Sequence, residues 1–271
     1  ENLKKLLYYC LETYYPNLKV TADLKKDIKI FLTAVSAACA KTCAEWMMAG
    51  FTHGVLNTDN INITGESFDY GPYRFLPYYD PMFTAAYFDH EKLYAYGKQP
   101  QVIYWNLQQL LISFTILDLE KEELVDSLSL YSKIFSEHLI AIFLQRLNIL
   151  PTNQVENNKL FSAAFTFLEE SRCPFEDFFF DWFSYEKRGF KALSGRRKDY
   201  YKGESFNSFY KLLRGFKDID TQKASDSYFD LESAENLYID EIEKTWSEIA
   251  SHDNWQPLYD KLDRIQKMQC R

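Results

Sequence analysis

Apolar residues recur at helical spacing along most of this chain, and that periodicity dictates a mainly α fold. Residues 2–14 place Leu3, Leu6, Leu7, Cys10, Leu11 and Tyr14 three or four positions apart, and Pro16 ends the run. A longer helix begins near Thr21-Ala22-Asp23, where side-chain oxygens can cap the first turn. It carries Ile28, Phe31, Leu32, Val35, Cys39, Cys43, Trp46 and Met47 on its apolar positions and stops at Gly50, a C-cap residue. From Val102 onward one helix holds Ile103, Leu107, Leu110, Leu111, Phe114 and Leu117. Another holds Leu124, Leu128, Tyr131, Phe135, Leu139, Ile142 and Phe143, closing near Leu150-Pro151. Further helices are predicted over 157–168, 174–185, 204–213, 235–246 and 254–268. With 22 Phe and 20 Tyr, the core they form is filled by large rings.

The stretch from Phe51 to Gly71 breaks this pattern. Polar residues gather in it, as His53-Gly-Val-Leu-Asn-Thr-Asp-Asn60 and then Asp69-Tyr-Gly71. Protein kinases space His-Arg-Asp four residues before a metal-binding Asn, with Asp-Phe-Gly following. The frame matches here, but Val55 stands at the kinase base position and cannot accept a proton. Residues 61–63 and 67–69 read as short strands around Thr64-Gly65. A two-residue turn would set Asn62 opposite Ser67, Ile61 opposite Phe68 and Asn60 opposite Asp69. Opposed side chains share a face, which would deliver two oxygen ligands to one point. One residue of register shift would separate them. The alternative is an ordinary hairpin whose Asn and Asp cap its ends.

The segment 71–102 is aromatic and punctuated by proline, an ordered loop packed by its own rings. Asp80, Asp89 and His90 there organise turns in preference to binding a metal. His138 is a core or boundary histidine. The basic run Lys187, Arg188, Lys191, Arg196, Arg197, Lys198 and Lys202 reads as a solvated helix end and loop, the alternative being contact with ATP phosphates or an acidic protein. A net charge of −8 argues against a nucleic-acid backbone as partner. Five cysteines, odd in number and widely spaced, are free thiols and not a disulfide framework. No apolar run is long enough to span a bilayer, and no signal peptide is evident, so no membrane role is expected.

The segment His53-Gly-Val-Leu-Asn-Thr-Asp-Asn60, with Phe68-Asp-Tyr-Gly-Pro72 and Phe75-Leu-Pro-Tyr-Tyr-Asp-Pro81, closely resembles the selenoprotein O (YdiU) family. Gln99-Pro-Gln-Val-Ile-Tyr-Trp-Asn-Leu-Gln-Gln-Leu110 is similar to that family too. More loosely, so are Tyr201-Lys-Gly-Glu204 and the closing Ile239-Asp-Glu-Ile-Glu243, Trp246, Asp253-Asn-Trp255, Leu262 and Met268. The resemblance implies a protein kinase-like fold that transfers AMP from ATP to Ser, Thr or Tyr hydroxyls of proteins. ATP is bound in an orientation flipped relative to kinases, with the α-phosphate facing the acceptor. Carried over by position, Asp59 would be the general base, and Asn60 and Asp69 would hold Mg²⁺ (or Mn²⁺) beside the nucleotide. A cytoplasmic location follows for a bacterial member.

The departure lies before Gly50, where nothing resembles the family's glycine-rich nucleotide loop, its phosphate-contacting lysine or that lysine's glutamate partner. The first residue is Glu1 and not Met. The chain therefore reads as a single C-terminal-lobe domain over 1–271, holding the base and the ligands without the nucleotide lobe. On that reading the isolated piece binds ATP weakly and is nearly inactive. Many family members end in a cysteine-containing redox tail, whereas Cys270 stands alone and makes a redox switch doubtful. Val55 and the missing lobe also suit a second reading, a non-catalytic pseudokinase or interaction scaffold.

Overall fold

The computed structural model describes residues 1–21 and 23–269, with side chains to residue 266; Cys270 lies outside the described residues. Helices dominate, as their periodicity requires, and the only named strands among the described residues are Phe51–Thr52 and Arg74–Phe75. The chain divides into two compact units, Glu1–Tyr73 with Pro81–Leu139, and Arg74–Asp80 with Ile140–Arg271.

In the first unit, α1 (Asn2–Tyr14) leads into α2 (Leu24–Met48). Asp23 caps α2 by accepting from the Lys26 amide, and Gly50, at φ 64°, turns the chain out of it. Ile28, Leu32, Cys43 and Leu124 are fully buried in the core that α2 shares with α3 (Gln99–Ser113). Cys10, Cys39 and Cys43 are buried free thiols. Burial raises the Cys39 and Cys43 thiols to about 12, so neither forms thiolate near neutral pH.

The expected single helix from Leu124 to Phe143 is instead three pieces: α4 (Lys121–Leu124), a 3₁₀ turn at Val125–Leu128, and α5 (Tyr131–Arg146). A serine supplies the reason. Ser129 Oγ donates to the Asp126 carbonyl at 2.6 Å, competing with the helical ladder where the turn ends. α5 has its residues divided between the two units.

The second unit contains α6 (Gln154–Ser171), α7 (Phe175–Trp182), α8 (Tyr185–Ser194), α9 (Glu204–Leu213), α10 (Ile239–His252) and α11 (Gln256–Gln269). Its core is made of rings. Phe178 and Phe206 lie 5.8 and 5.5 Å from Phe167, and Trp182 packs edge-on to Tyr201 at 5.2 Å. The helix expected over 174–185 breaks because Ser184 adopts a left-handed φ of 53°, which lets α8 start in a new direction.

The basic run is only partly solvated, which corrects the sequence expectation. Arg188 is 5% exposed, sits 4.9 and 4.2 Å from the Phe180 and Phe229 rings, and donates to both their carbonyls. Arg197 forks onto Asp181 with bonds of 2.7 and 2.6 Å, and Tyr201 donates to the same carboxylate at 2.6 Å. Periodicity cannot reveal these partners, because Asp181 on α7 lies sixteen and twenty residues before Arg197 and Tyr201, and Phe229 lies forty-one residues after Arg188.

Candidate active site

The 51–71 stretch belongs wholly to the first unit. Gly54 opens it with φ 88°, and a Cβ there would stand 3.1 Å from Ala85 and from Pro72, so only glycine fits. The chain then turns at Asn57–Asn60, where the Asn60 amide donates to the Asn57 carbonyl at 3.1 Å. Asp59 occupies this turn with its side chain exposed, and its carboxylate has no hydrogen bond or ion pair with the described residues. The Tyr94 hydroxyl donates to Asn57 Oδ1, tethering the turn's first residue.

Of the expected strands 61–63 and 67–69 only an isolated bridge forms, and in a different register. Ile61 pairs with Ser67, and the Asn62 amide donates to the Glu66 carbonyl at 2.7 Å. Asn60 therefore faces Phe68, whose amide reaches the Asn60 carbonyl at 3.3 Å. The turn is one residue longer than assumed, with Gly65 at φ 84° against the α2 backbone. On a continuous pleat this shift would send Asp69 to the other face. Asp69 leaves the pleat instead: its φ is 62°, in the left-handed region that Asp tolerates better than most residues. Its Oδ2 consequently lies 3.5 Å from Asn60 Nδ2. The two residues meet, though by a different route from the one anticipated.

Four residues close a ring of hydrogen bonds around this pair. Asn60 Nδ2 donates to the Val55 carbonyl at 2.8 Å, and the Val55 amide donates to His53 Nδ1 at 3.3 Å. His53 Nε2 lies 3.0 Å from the Phe68 carbonyl, and the Phe68 amide returns to Asn60. An Nδ1 that accepts and an Nε2 facing a carbonyl assign His53 as the neutral Nε2-protonated tautomer. Burial lowers its pKa further, outweighing the Phe68 carbonyl and Asp69. Trp46, Phe51 and Tyr70 surround the imidazole, with ring centroids 5.3 to 6.3 Å away. His53 joins the loop to the Asp69 segment and is not placed to exchange protons with solvent.

Two further residues hold the loop from behind. Gln99 Oε1 accepts from the His53 amide at 2.9 Å, while its Nε2 donates to the Phe51 carbonyl at 2.9 Å. Asn106 Nδ2 donates to the Leu56 carbonyl at 3.0 Å. Sequence reasoning quoted both residues within a motif but assigned them no role. Polar residues seven apart on an apolar helix were the available signal.

The donor set suits a hard cation. With its nitrogen donating to the Val55 carbonyl and lying 3.5 Å from Asp69 Oδ2, Asn60 keeps Oδ1 as the atom that could take a cation. Neither Asp59 nor Asp69 forms an ion pair with the described residues, so the site carries uncompensated negative charge. No group of three His, Cys, Asp or Glu that could hold a metal occurs among the described residues. Two protein oxygens are nevertheless what Mg²⁺ takes when phosphates and water complete its shell. Elsewhere, Asp89 accepts from the Leu93 and Tyr94 amides at 2.7 and 2.8 Å, the turn-forming role expected of it. His138 is a boundary residue 3.3 Å from Glu45.

Comparison with known proteins gives the chain its family. Proteins similar to the chain include several named as nucleotidyltransferases. The "Protein nucleotidyltransferase YdiU" of Trichodesmium erythraeum is 35% identical over 97% of this chain and 57% of its own length. Its namesake in Synechocystis sp. is 35% identical over 98% of the chain and 58% of its own length. That of Synechococcus elongatus is 48% identical over a shorter 108-residue stretch, 40% of the chain and 21% of its own length. The family model described as "Protein adenylyltransferase SelO" matches residues 1–266, and the chain belongs to that family. It spans somewhat more than half the length of the first two relatives.

Proposed function

We propose that the complete protein transfers AMP from ATP to Ser, Thr or Tyr hydroxyls of other proteins, and that this chain contributes the kinase-like lobe carrying base and metal ligands. The observation that carries the proposal is the Asn60–Asp69 pair, an amide and a carboxylate at 3.5 Å, with Asp59 next in sequence on a turn open to solvent. Family membership supplies the reaction type.

Asp59 is the general base. It takes the proton of the acceptor hydroxyl as that oxygen bonds to the α-phosphorus of ATP, and pyrophosphate leaves with the electron pair of the broken bond. The protein gains an AMP phosphodiester. Asn60 and Asp69 would hold Mg²⁺ or Mn²⁺, which when bound neutralises charge on phosphate oxygens. Val55 and His53 keep the Asn60 amide turned toward its ligating direction, and the uncharged imidazole adds no positive charge to compete with the cation. ATP and hydroxyl-bearing proteins are the proposed partners, in the cytoplasm; no helix among the described residues is long and apolar enough to cross a membrane.

The test is transfer of labelled AMP by the complete gene product. Asp59→Ala should lower it by about 10²- to 10⁴-fold, the usual worth of a positioned base, with the fold retained. Undiminished transfer removes Asp59 from the role. The isolated 271-residue chain should transfer little, and robust transfer by it contradicts this division of the site. Val55 at the kinase base position supports a second reading, a non-catalytic scaffold. Mg²⁺-dependent protection by ATP against thermal unfolding of the complete protein separates the two, because a scaffold gains none.

A further inference from the structure

The Gln99-to-Asn106 segment of α3 resembles the family without any role that the base and metal ligands explain. Gln99 and Asn106 are two helical turns apart, so they lie on one face of α3. That face is apolar where Ile103 and Leu107 sit, 1% and 3% exposed. An amide side chain in such a place is costly unless its groups are hydrogen-bonded. Gln99, itself 0% exposed, spends both ends on the polar stretch: Oε1 on the His53 amide and Nε2 on the Phe51 carbonyl. Asn106, 8% exposed, donates through Nδ2 to the Leu56 carbonyl, while its buried Oδ1 has no hydrogen-bond partner among the described residues. All three contacts are to loop backbone, and they bracket Val55, whose carbonyl in turn fixes the Asn60 side chain.

We propose that Gln99 and Asn106 are positioning residues of the transfer reaction: together they clamp the backbone from Phe51 to Leu56 so that Asp59 and Asn60 are presented in one fixed geometry. This rests on the AMP-transfer reading above for its kinetic consequence, though the clamp itself does not. Neither residue touches a reacting atom. They act through two short relays, Gln99 through the His53 amide to the His53–Phe68 link, and Asn106 through Leu56 to the turn that begins at Asn57. A misplacement of about 1 Å at a reacting group costs on the order of 100-fold in rate. The groups held by these contacts are the base and one proposed metal ligand, whose placement matters most as the new bond forms, so the loss should fall mainly on turnover.

The experiment uses the complete gene product with Gln99→Met and Asn106→Leu, which keep side-chain volume and remove the hydrogen bonds. Three quantities are read: kcat and KM for ATP, the thermal transition, and hydrogen exchange of peptides covering residues 51–60. The clamp predicts kcat lower by about 100-fold with KM within about threefold, a cooperative transition retained, and faster exchange confined to the loop. An unchanged kcat in a folded variant overturns it, as does a fall in kcat that merely tracks the folded fraction. Should Gln99→Met fail to fold, Asn106→Leu, which loses a single bond, decides the matter. Should the unaltered protein transfer no AMP, the functional reading fails by itself, and the exchange comparison still judges the clamp: equal loop exchange in variant and parent contradicts it.

Discussion

Asn60 Nδ2 and Asp69 Oδ2 lie 3.5 Å apart although the bridge between them, Ile61 to Ser67, is one residue out of the register that would set them face to face. The left-handed backbone at Asp69 compensates for the shift. The amide is a structural donor as well as a proposed ligand, since it satisfies the Val55 carbonyl. The two residues should therefore separate by mutation. Asp69→Asn should raise the Mg²⁺ concentration needed for transfer while leaving the thermal transition nearly unchanged. Asn60→Ala should do both, costing about 1 to 3 kcal/mol of stability because a carbonyl loses its donor. Titration of Mg²⁺ beside thermal unfolding reads the two effects independently.

His53 makes stability depend on pH. Its pKa in the folded chain is lowered, chiefly by burial, so the unfolded chain binds the proton first. Its contribution is complete above the unfolded value of about 6.5 and is lost as pH falls below it toward the folded value. His53→Gln, which keeps a donor for the Phe68 carbonyl but does not titrate, should flatten this part of the profile. Thermal midpoints measured from about pH 7.5 down to 5 check it; an identical slope in parent and variant contradicts the assignment.

Gly65 should tolerate no side chain. A Cβ would lie 2.9 Å from the Ala38 carbonyl carbon on α2, and the residue already has φ 84°. Gly65→Ala should cost about 1 to 3 kcal/mol, combining a strained backbone with a clash against helix backbone. Because the turn sets the register, the same variant should also weaken metal-dependent transfer. Denaturant midpoints and Mg²⁺ titration of the same preparation provide the comparison.

In the second unit, Arg197→Met should be the severe substitution of the basic run. It leaves the Asp181 carboxylate, 8% exposed, with Tyr201 as its remaining side-chain donor, and breaking a buried pair from one side costs about 3 to 5 kcal/mol. Lys198→Met, at an exposed position without a charged partner among the described residues, should change stability by less than about 0.5 kcal/mol. Equal effects of the two would mean that the fork onto Asp181 contributes nothing.

The sequence made legible what depends on local pattern. α1 ends before Pro16, α2 runs from Asp23 to Gly50, and α9 occupies 204–213 because spacing and caps state those limits. Asn60 and Asp69 are also identifiable as neighbours from the sequence, although the turn between them is one residue longer than a two-residue loop. A φ of 62° at Asp69 cannot be read from residue types, and it decides whether the shifted register matters. Gln99 and Asn106 are visible as letters and not as a clamp, since their hydrogen-bond partners lie some 46 to 50 residues earlier in the chain. The burial of Arg188 and Arg197 is hidden for the same reason. Burial of a charge depends on rings and carboxylates brought by other helices, and a one-dimensional charge run carries no sign of them.

The central claim is that this site moves AMP and not phosphate. It is tested most directly by incubating the complete protein with Mg²⁺ and ATP labelled at either the α- or the γ-phosphate, then counting label bound covalently to protein. The account predicts stable label from α-labelled ATP alone, abolished by Asp59→Ala. Label arriving from the γ-phosphate, or α-label undiminished in Asp59→Ala, would contradict it.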